Sequence, residues 1–277
     1  FLPLLGGFVG ADTASVLLTL PVDERRCLMV DLGTNGEIAA GGGGSYKVAS
    51  TACGPALEGG NIACGMRGMD GAIEKISIDG DALSFRVIGG GEAKGLCGSA
   101  IIDAVAELRS AGVIDESGRL LPADEFRAAH PGSTLDQYLG EAGEYNPAFF
   151  FTRGEQSVYL AQHDVRQIQL AKSSIYSGCV ALLEESGLAL EDLDALYLAG
   201  AFGNYIDVDH ALEIGLLPPI PRERIVSIGN GAGQGVQLCL LDSAQLDRCQ
   251  ALPASIEHLE LATSPRFMEE YIMNMNF

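Results

Sequence analysis

Apolar and polar positions alternate along this chain in blocks that change period. Residues 11–20 (ADTASVLLTL) place Ala14, Val16, Leu17 and Leu20 on one face, as a short helix would, with Asp12 or Thr13 as its cap. The run CLMVD at 27–31 is continuously apolar and closed by an acid, which predicts a buried strand. A turn at Gly33-Thr34-Asn35-Gly36 follows, then strands at 37–40 and 46–50 joined by the four glycines 41–44.

Further along, 55–63 reads as a helix opened by Pro55, and 72–90 as a hairpin around Asp79-Gly80-Asp81. Residues 98–111 keep Ile101, Ile102, Val105 and Leu108 on one helical face. The stretch 115–155 is polar and irregular and is expected to be an inserted surface region. The longest helix spans 162–186 and stops at Gly187. Strands at 195–198 and 225–228 alternate with helices at 207–214 and 232–241, and a strand at 257–261 precedes a last helix after Pro265. Early antiparallel strands followed by strand–helix alternation predict an α/β fold, a mixed sheet flanked by helices.

Composition narrows the function. The 277 residues carry 17 basic and 37 acidic side chains, a formal charge of −20. That excludes a phosphate-backbone surface, which needs clustered Lys and Arg, and argues against an anionic membrane. There is no membrane-spanning apolar run, and the apolar start lacks the basic region of a signal peptide. The seven cysteines form no C-x-x-C pair and most lie in apolar runs, as reduced thiols of a cytoplasmic protein do. The first residue is Phe, from which a piece of a longer protein is expected.

Three glycine clusters follow strand-like runs. In V-D-L-G-T-N-G-E (30–37) Asp31 could hold Mg²⁺ through water or orient an attacking water, while Gly33 and Gly36 let backbone amides approach phosphate oxygens. An ordinary Asn-Gly hairpin reads equally well there. L-A-G-A-F-G-N (198–204) could lay a flat ring against backbone or be a plain strand–helix turn. I-G-N-G-A-G-Q-G-V (228–236) lacks the spacing of a dinucleotide fingerprint. Lys172 falls on the apolar stripe of the long helix, where it either snorkels to an edge or faces a cleft holding an anion. Glu58, in G-P-A-L-E-G-G, has the same two readings.

The order of these blocks, with G-F-V-G-A-D, G-P-A-L-E-G-G-N-I and G-L-C-G-S-A-I-I-D-A, resembles the second lobe of the ATPase superfamily of actin, sugar kinases and heat-shock chaperones. Its wording is most similar to the C-terminal ATPase region of the reductive activators of corrinoid proteins. The resemblance implies an actin-like, RNase H-like lobe with core at 1–70 and 156–277 and an insertion at 71–155. It implies an ATPase that drives reduction of cobalt(II) corrinoid to cobalt(I). Asp31, Gly33, Thr34, Asn35 and Gly36 then stand at the second phosphate loop, with Asp31 the catalytic residue and Mg²⁺ contact. Gly200, Ala201, Phe202 and Gly203 hold adenosine, Gln169 and Lys172 border ribose and base, and Gly54 and Glu58 line the cleft. Gly10-Ala11 and Asn230 to Ala232 match the paired interlobe helices.

The same resemblance places the first phosphate loop and a ferredoxin-like iron–sulfur domain, with its electron donor, outside these residues. The cofactors are then ATP and Mg²⁺, the partner a corrinoid protein, and the assembly a homodimer. The isolated piece is expected to bind nucleotide weakly or not at all. Rival readings are an activator of 2-hydroxyacyl-CoA dehydratases, a sugar or acetate kinase lobe, and a nonenzymatic docking or dimerisation module.

Overall fold

The computed structural model describes every residue except 144–146, 201, 202 and 204. In chain order, helix α1 (Ala11–Thr19) precedes strands β1 (Cys27–Leu32), β2 (Gly36–Gly42) and β3 (Ser45–Thr51). A 3₁₀ turn (Pro55–Glu58) leads to β4 (Ala72–Asp79), β5 (Ala82–Val87), β6 (Gly95–Leu96) and α2 (Gly98–Ser110). Then come α3 (Ala123–Ala129), β7 (Leu139–Gly140), β8 (Ala148–Thr152), β9 (Val158–Ala161) and α4 (Gln162–Glu185). The remaining elements are β10 (Ala195–Ala199), α5 (Val208–Glu213), β11 (Ile225–Gly229), α6 (Gly231–Leu241), α7 (Ser243–Ala251), β12 (Ile256–His258) and α8 (Pro265–Met273).

The chain divides into two compact units. The first comprises Phe1–Cys53, Ser173–Tyr205 and Leu217–Asn274, the second Gly54–Lys172, Ile206–Leu216 and Met275–Phe277. The sequence reading drew its boundaries at residues 70 and 156 instead.

The first unit is built on a six-stranded sheet of order β11-β10-β1-β2-β3-β12. β1 pairs parallel to β10 and antiparallel to β2, so the sheet is mixed, as the change of hydrophobic period predicts. Central β1 is apolar on both faces because both faces are covered. Met29, Ala39, Val48 and Tyr197 point to one side, into a core shared with Val16 and Leu17 of α1 and Cys249 of α7. Ile38 and Thr51 point to the other side, against Gly178 of α4, where an added Cβ would lie 2.3 Å from the Thr51 methyl. α1 and α6 approach more closely still. A Cβ at Gly235 would sit 2.0 Å from the Ser15 carbonyl oxygen.

The second unit holds two three-stranded sheets, β5-β4-β6 and β7-β8-β9. α2 lies on β4 and is fastened to its edge. Asp103 accepts a hydrogen bond from the Ile76 amide (3.1 Å), and Glu107 one from that of Ile78 (3.0 Å). Two expectations are corrected here. Residues 115–155 contain α3, β7 and β8, because the aromatic run of β8 seeks a core. Phe149 is fully buried with Phe151 edge-on at 5.4 Å. The expected helix at 55–63 is one 3₁₀ turn, ended by Gly59 in the left-handed region at φ +84°.

Candidate functional site

The C-terminal end of β1 brings the carboxylates of the first unit together. Asp31 pairs in register with Ala199 of β10 on one side and with Glu37 of β2 on the other. Burial, reinforced by the negative charge of Asp12 in the first turn of α1, pushes the Asp31 carboxyl up to about 6. Glu37 is pushed up to about 7, first by burial and then by the charges of Asp31 and Asp12, although the Ser50 hydroxyl hydrogen-bonds to it at 3.3 Å. Asp31 and Glu37, two neighbouring carboxyls that resist ionising, would be favoured by the charge of a divalent cation, which would offset both burial and repulsion.

Next to them the chain turns tightly. The Gly33 amide donates to the Asn35 carbonyl at 3.0 Å, and Thr34 and Asn35 are exposed. Gly36 is buried, where a Cβ would press on Thr51 Oγ1 at 2.9 Å. The Cys53 thiol donates to the carbonyls of both Gly33 (3.5 Å) and Thr34 (3.4 Å), fixing the turn from below. Gly200 follows β10 with φ +97°, and a Cβ there would lie 2.7 Å from the Leu32 carbonyl oxygen and 2.8 Å from Asp31 Oδ1. Only glycine meets both the backbone conformation and the approach. The Gly203 amide closes the turn onto the Gly200 carbonyl at 3.1 Å. Ala201 and Phe202 lie outside the described residues. The first unit therefore gathers Asp31, Gly33, Thr34, Asn35, Gly36, Gly200 and Gly203 around the ends of two adjacent parallel strands. Open α/β sheets bind ligands at such strand ends.

The remaining expected site residues belong to the second unit. Gly54 has φ +74° and open space around its Cα, and Glu58 is exposed on the 3₁₀ turn. Gln169 and Lys172 are each 2% exposed. Gln169 donates to the carbonyls of Ser117 (3.0 Å) and Met275 (2.8 Å), and Lys172 donates to that of Asn276. Burial, with the Arg109 charge nearby, draws the Lys172 ammonium down to about 8.

Sequence reasoning missed three contributors. Asp12 stood only as a helix cap and Glu37 only as a strand residue, and Cys53 had no place at the glycine turn. The signal for Glu37 was its position six residues after Asp31, across a turn that returns the chain beside itself. The missed group of the second unit is Asp103, Asp207 and His210, whose ligand atoms all lie within 4.8 Å of one another. A cation is already there: Lys75 Nζ is 2.6 Å from Asp207 and 3.6 Å from Asp103. Among the described residues this is the one group of metal-ligating side chains of that kind, and it contains no cysteine. No helix among them is long and apolar enough to cross a membrane.

The mixed sheet with flanking helices and glycine turns at its strand ends is the architecture of a domain of the ASKHA (actin-like) class. The family model described as the C-terminal domain of RACo, the ASKHA domain, matches residues 25–277, and the chain belongs to that family. It is 49% identical to "Corrinoid activation enzyme RamQ" of Eubacterium limosum, over all of this chain and 47% of that protein. It is 27% identical to "[Co(II) methylated amine-specific corrinoid protein] reductase" of Methanosarcina barkeri, over 99% of this chain and 51% of that one. The solved structure of a "Reductive activator for corrinoid,iron-sulfur protein" superposes with TM-score 0.89 at 29% identity, covering 100% of this chain and 44% of the other. The chain thus spans about half the length of the curated relatives it matches.

Proposed function

We propose that this chain is the nucleotide-binding domain of an ATP-dependent reductive activator that returns cobalt(II) corrinoid proteins to cobalt(I). The observation that carries the reading is the carboxylate end of β1 beside the Gly33–Gly36 turn and Gly200, in a chain of the reductive-activator family. Asp31, with Glu37 and Asp12 behind it, would hold Mg²⁺. The ion, when bound, supplies charge neutralisation at phosphate oxygens. The amides of the Gly33–Gly36 turn and the exposed Thr34 and Asn35 would position β/γ-phosphate oxygens, and Gly200 and Gly203 would let an adenosine ring lie against backbone. Glu37, pushed up to about 7, is partly ionised near neutrality, and its ionised form would accept a proton from a water that Asp31 orients.

The seven cysteines are free thiols, and most are buried. They offer no ligand set for a cluster among the described residues, so electron delivery belongs, on this reading, to an iron–sulfur domain elsewhere in the protein. ATP then acts by differential binding: the nucleotide state changes which conformation docks the corrinoid protein. Reduced, buried thiols support a cytoplasmic setting. The test is ATP-dependent cobalt(I) formation, followed by absorbance, with the full-length protein and its Asp31→Ala variant. A loss of at least about a hundredfold is expected, and undiminished ATP-dependent reduction sinks the assignment.

A further inference from the structure

Two cysteines meet at the C-terminal end of α6. Cys239 lies in the last turn of α6 and Cys249 in the last turn of α7, and Asp242 alone joins the two helices. Cys239 follows Gly235 by one helical turn, so it shares the face that touches Ser15 of α1. Cys249 is fully buried in the core lined by Val16, Leu17 and Leu18 of α1, and Cys239 packs against that core from its edge. The two thiols hydrogen-bond to each other. Arg248 fastens α7 there by donating from Nη1 to the Leu18 carbonyl at 3.4 Å.

The pair is unequal in access. Cys239 is partly exposed, whereas Cys249 is closed to solvent. Burial, reinforced by Cys239 beside it, pushes the Cys249 thiol up to about 11. A reagent arriving from solvent therefore meets Cys239 first and reaches Cys249 only through it. Other thiols of the chain face oxygen instead. Cys64 donates to the Ser157 carbonyl at 3.7 Å, and Cys97 lies 3.4 Å from the Ser99 hydroxyl. The end of α6 beside the pair is lightly packed, with Leu240 80% and Leu241 86% exposed. A covalent bond at this point would order a helix end that little else holds.

We propose that Cys239 and Cys249 are a thiol–disulfide exchange site, closed by a small-molecule disulfide and reopened by a dithiol, whose bond clamps the end of α6 to α7. Oxidised glutathione stands for the oxidant class. The Cys239 thiolate attacks one of its sulfurs, so a mixed disulfide forms, the glutathione S–S bond breaks and one glutathione thiolate leaves. The Cys249 thiolate then attacks the Cys239 sulfur. The bond between the two protein sulfurs forms, the mixed disulfide breaks and the second glutathione thiolate leaves. The two protons given up by the protein thiols go to the two released thiolates. The two electrons lost by the protein reduce the glutathione disulfide. A reducing cytosol would keep such a bond transient. The proposal is independent of the nucleotide reading, because neither thiol belongs to the carboxylate end of β1.

The test incubates the full-length protein with oxidised glutathione without air, traps remaining thiols by alkylation and maps the peptides by mass spectrometry. In wild type the expected product is the Cys239–Cys249 linked peptide, and dithiothreitol is expected to return both thiols. Cys249→Ala, which lacks the second thiol, is expected to keep glutathione on Cys239. In Cys239→Ser, which alters only the partly exposed member, Cys249 is expected to stay unmodified. Hydrogen exchange at the end of α6 is expected to slow about tenfold once the bond has formed. The proposal is overturned if wild type keeps glutathione on Cys239 without a linked peptide, or if neither thiol reacts. It is also overturned if Cys249 takes up glutathione in Cys239→Ser as it does in wild type, or if the formed bond leaves exchange in α6 unchanged. The wild-type arms do not depend on either variant folding. Loss of cobalt(I) formation in Asp31→Ala bears on none of these outcomes, so either reading can fail alone.

Discussion

Asp31 and Glu37 stand opposite each other in the antiparallel β1–β2 ladder, so two carboxylates share one face of the sheet at neighbouring positions. Each is more easily protonated in the folded chain than in the unfolded one, Asp31 near 6 and Glu37 near 7. Folding therefore binds protons in this window, and the stability of the unliganded protein falls as pH rises from about 4 to about 7. Asp31→Asn and Glu37→Gln should each flatten that fall and stabilise the unliganded protein at pH 7.5 by about 2 kcal/mol. Urea melts at pH 5 and pH 7.5 decide it, since curves parallel to wild type would remove the like-charge account. The gain comes with lost Mg²⁺-dependent nucleotide binding, as expected where function holds charges together.

Gly200 tests the geometry independently of charge. Gly200→Ala must place a methyl within van der Waals overlap of the Leu32 carbonyl and Asp31 Oδ1, at a left-handed backbone position. We expect a stability loss of about 2 kcal/mol and a drop in Mg-ATP affinity of about tenfold or more. Calorimetric titration of the full-length protein checks it, and an alanine variant that binds like wild type would show that Gly200 and Asp31 do not share a site.

The α1–α6 crossing predicts a purely structural sensitivity. Gly235→Ala drives a Cβ to 2.0 Å from the Ser15 carbonyl, a backbone atom that cannot rotate away. Separating two packed helices to make room costs about 2–3 kcal/mol, or roughly 5–10 °C in melting temperature for a chain of this length. Gly233→Ala, two residues before the crossing, meets the Asn230 side chain instead and should cost much less. Equal melting temperatures for the two variants would contradict the crossing.

His210 carries the same pH sign as Asp31, in a higher pH window. Its Nδ1 is 2.7 Å from buried Asp103 and its Nε2 3.5 Å from Glu107, with Asp207 and the Lys75 ammonium completing the group. The hydrogen bond to Asp103 raises the imidazole above its ordinary value. Its stabilisation is thus fully present below about 6.5 and is lost as pH rises through the folded value. His210→Asn should destabilise by about 2 kcal/mol or more at pH 5.5, because Asp103 is left without its partner, and by less at pH 8.5. Denaturant midpoints at the two pH values measure the difference, and equal losses would show that charge plays no part.

How much of this is visible in the sequence depends on how far apart the cooperating residues lie. β1 to β3 follow from local period, because each strand announces its buried face within a few residues. The Gly33–Gly36 turn was equally local, and it is where the reading placed it. Lys172 lay on the apolar stripe and is indeed buried, yet what it meets, the 275–277 segment, is 104 residues away. His210 and Asp103 are 107 residues apart, and nothing near either one signals the other. β8 was hidden for a different reason: Pro147 and the polar residues before it made its aromatic run look like part of a loop.

The placement of β10 beside β1 carries a consequence for how this chain is made. Arg26 and Asp194, at the entry to that ladder, bond across 168 residues of sequence. During synthesis β1 has its β2 and β3 neighbours early, while its other edge waits, unpaired and apolar, until β10 emerges. The stretch 54–172 can collapse on itself in the interval. Pulse-labelled amides should therefore become protected in β4 and α2 before β10, and simultaneous protection would argue against this order. A nascent chain stalled before residue 195 would be the form most exposed to misassociation, and the carboxylate end of β1 would be its last feature to mature.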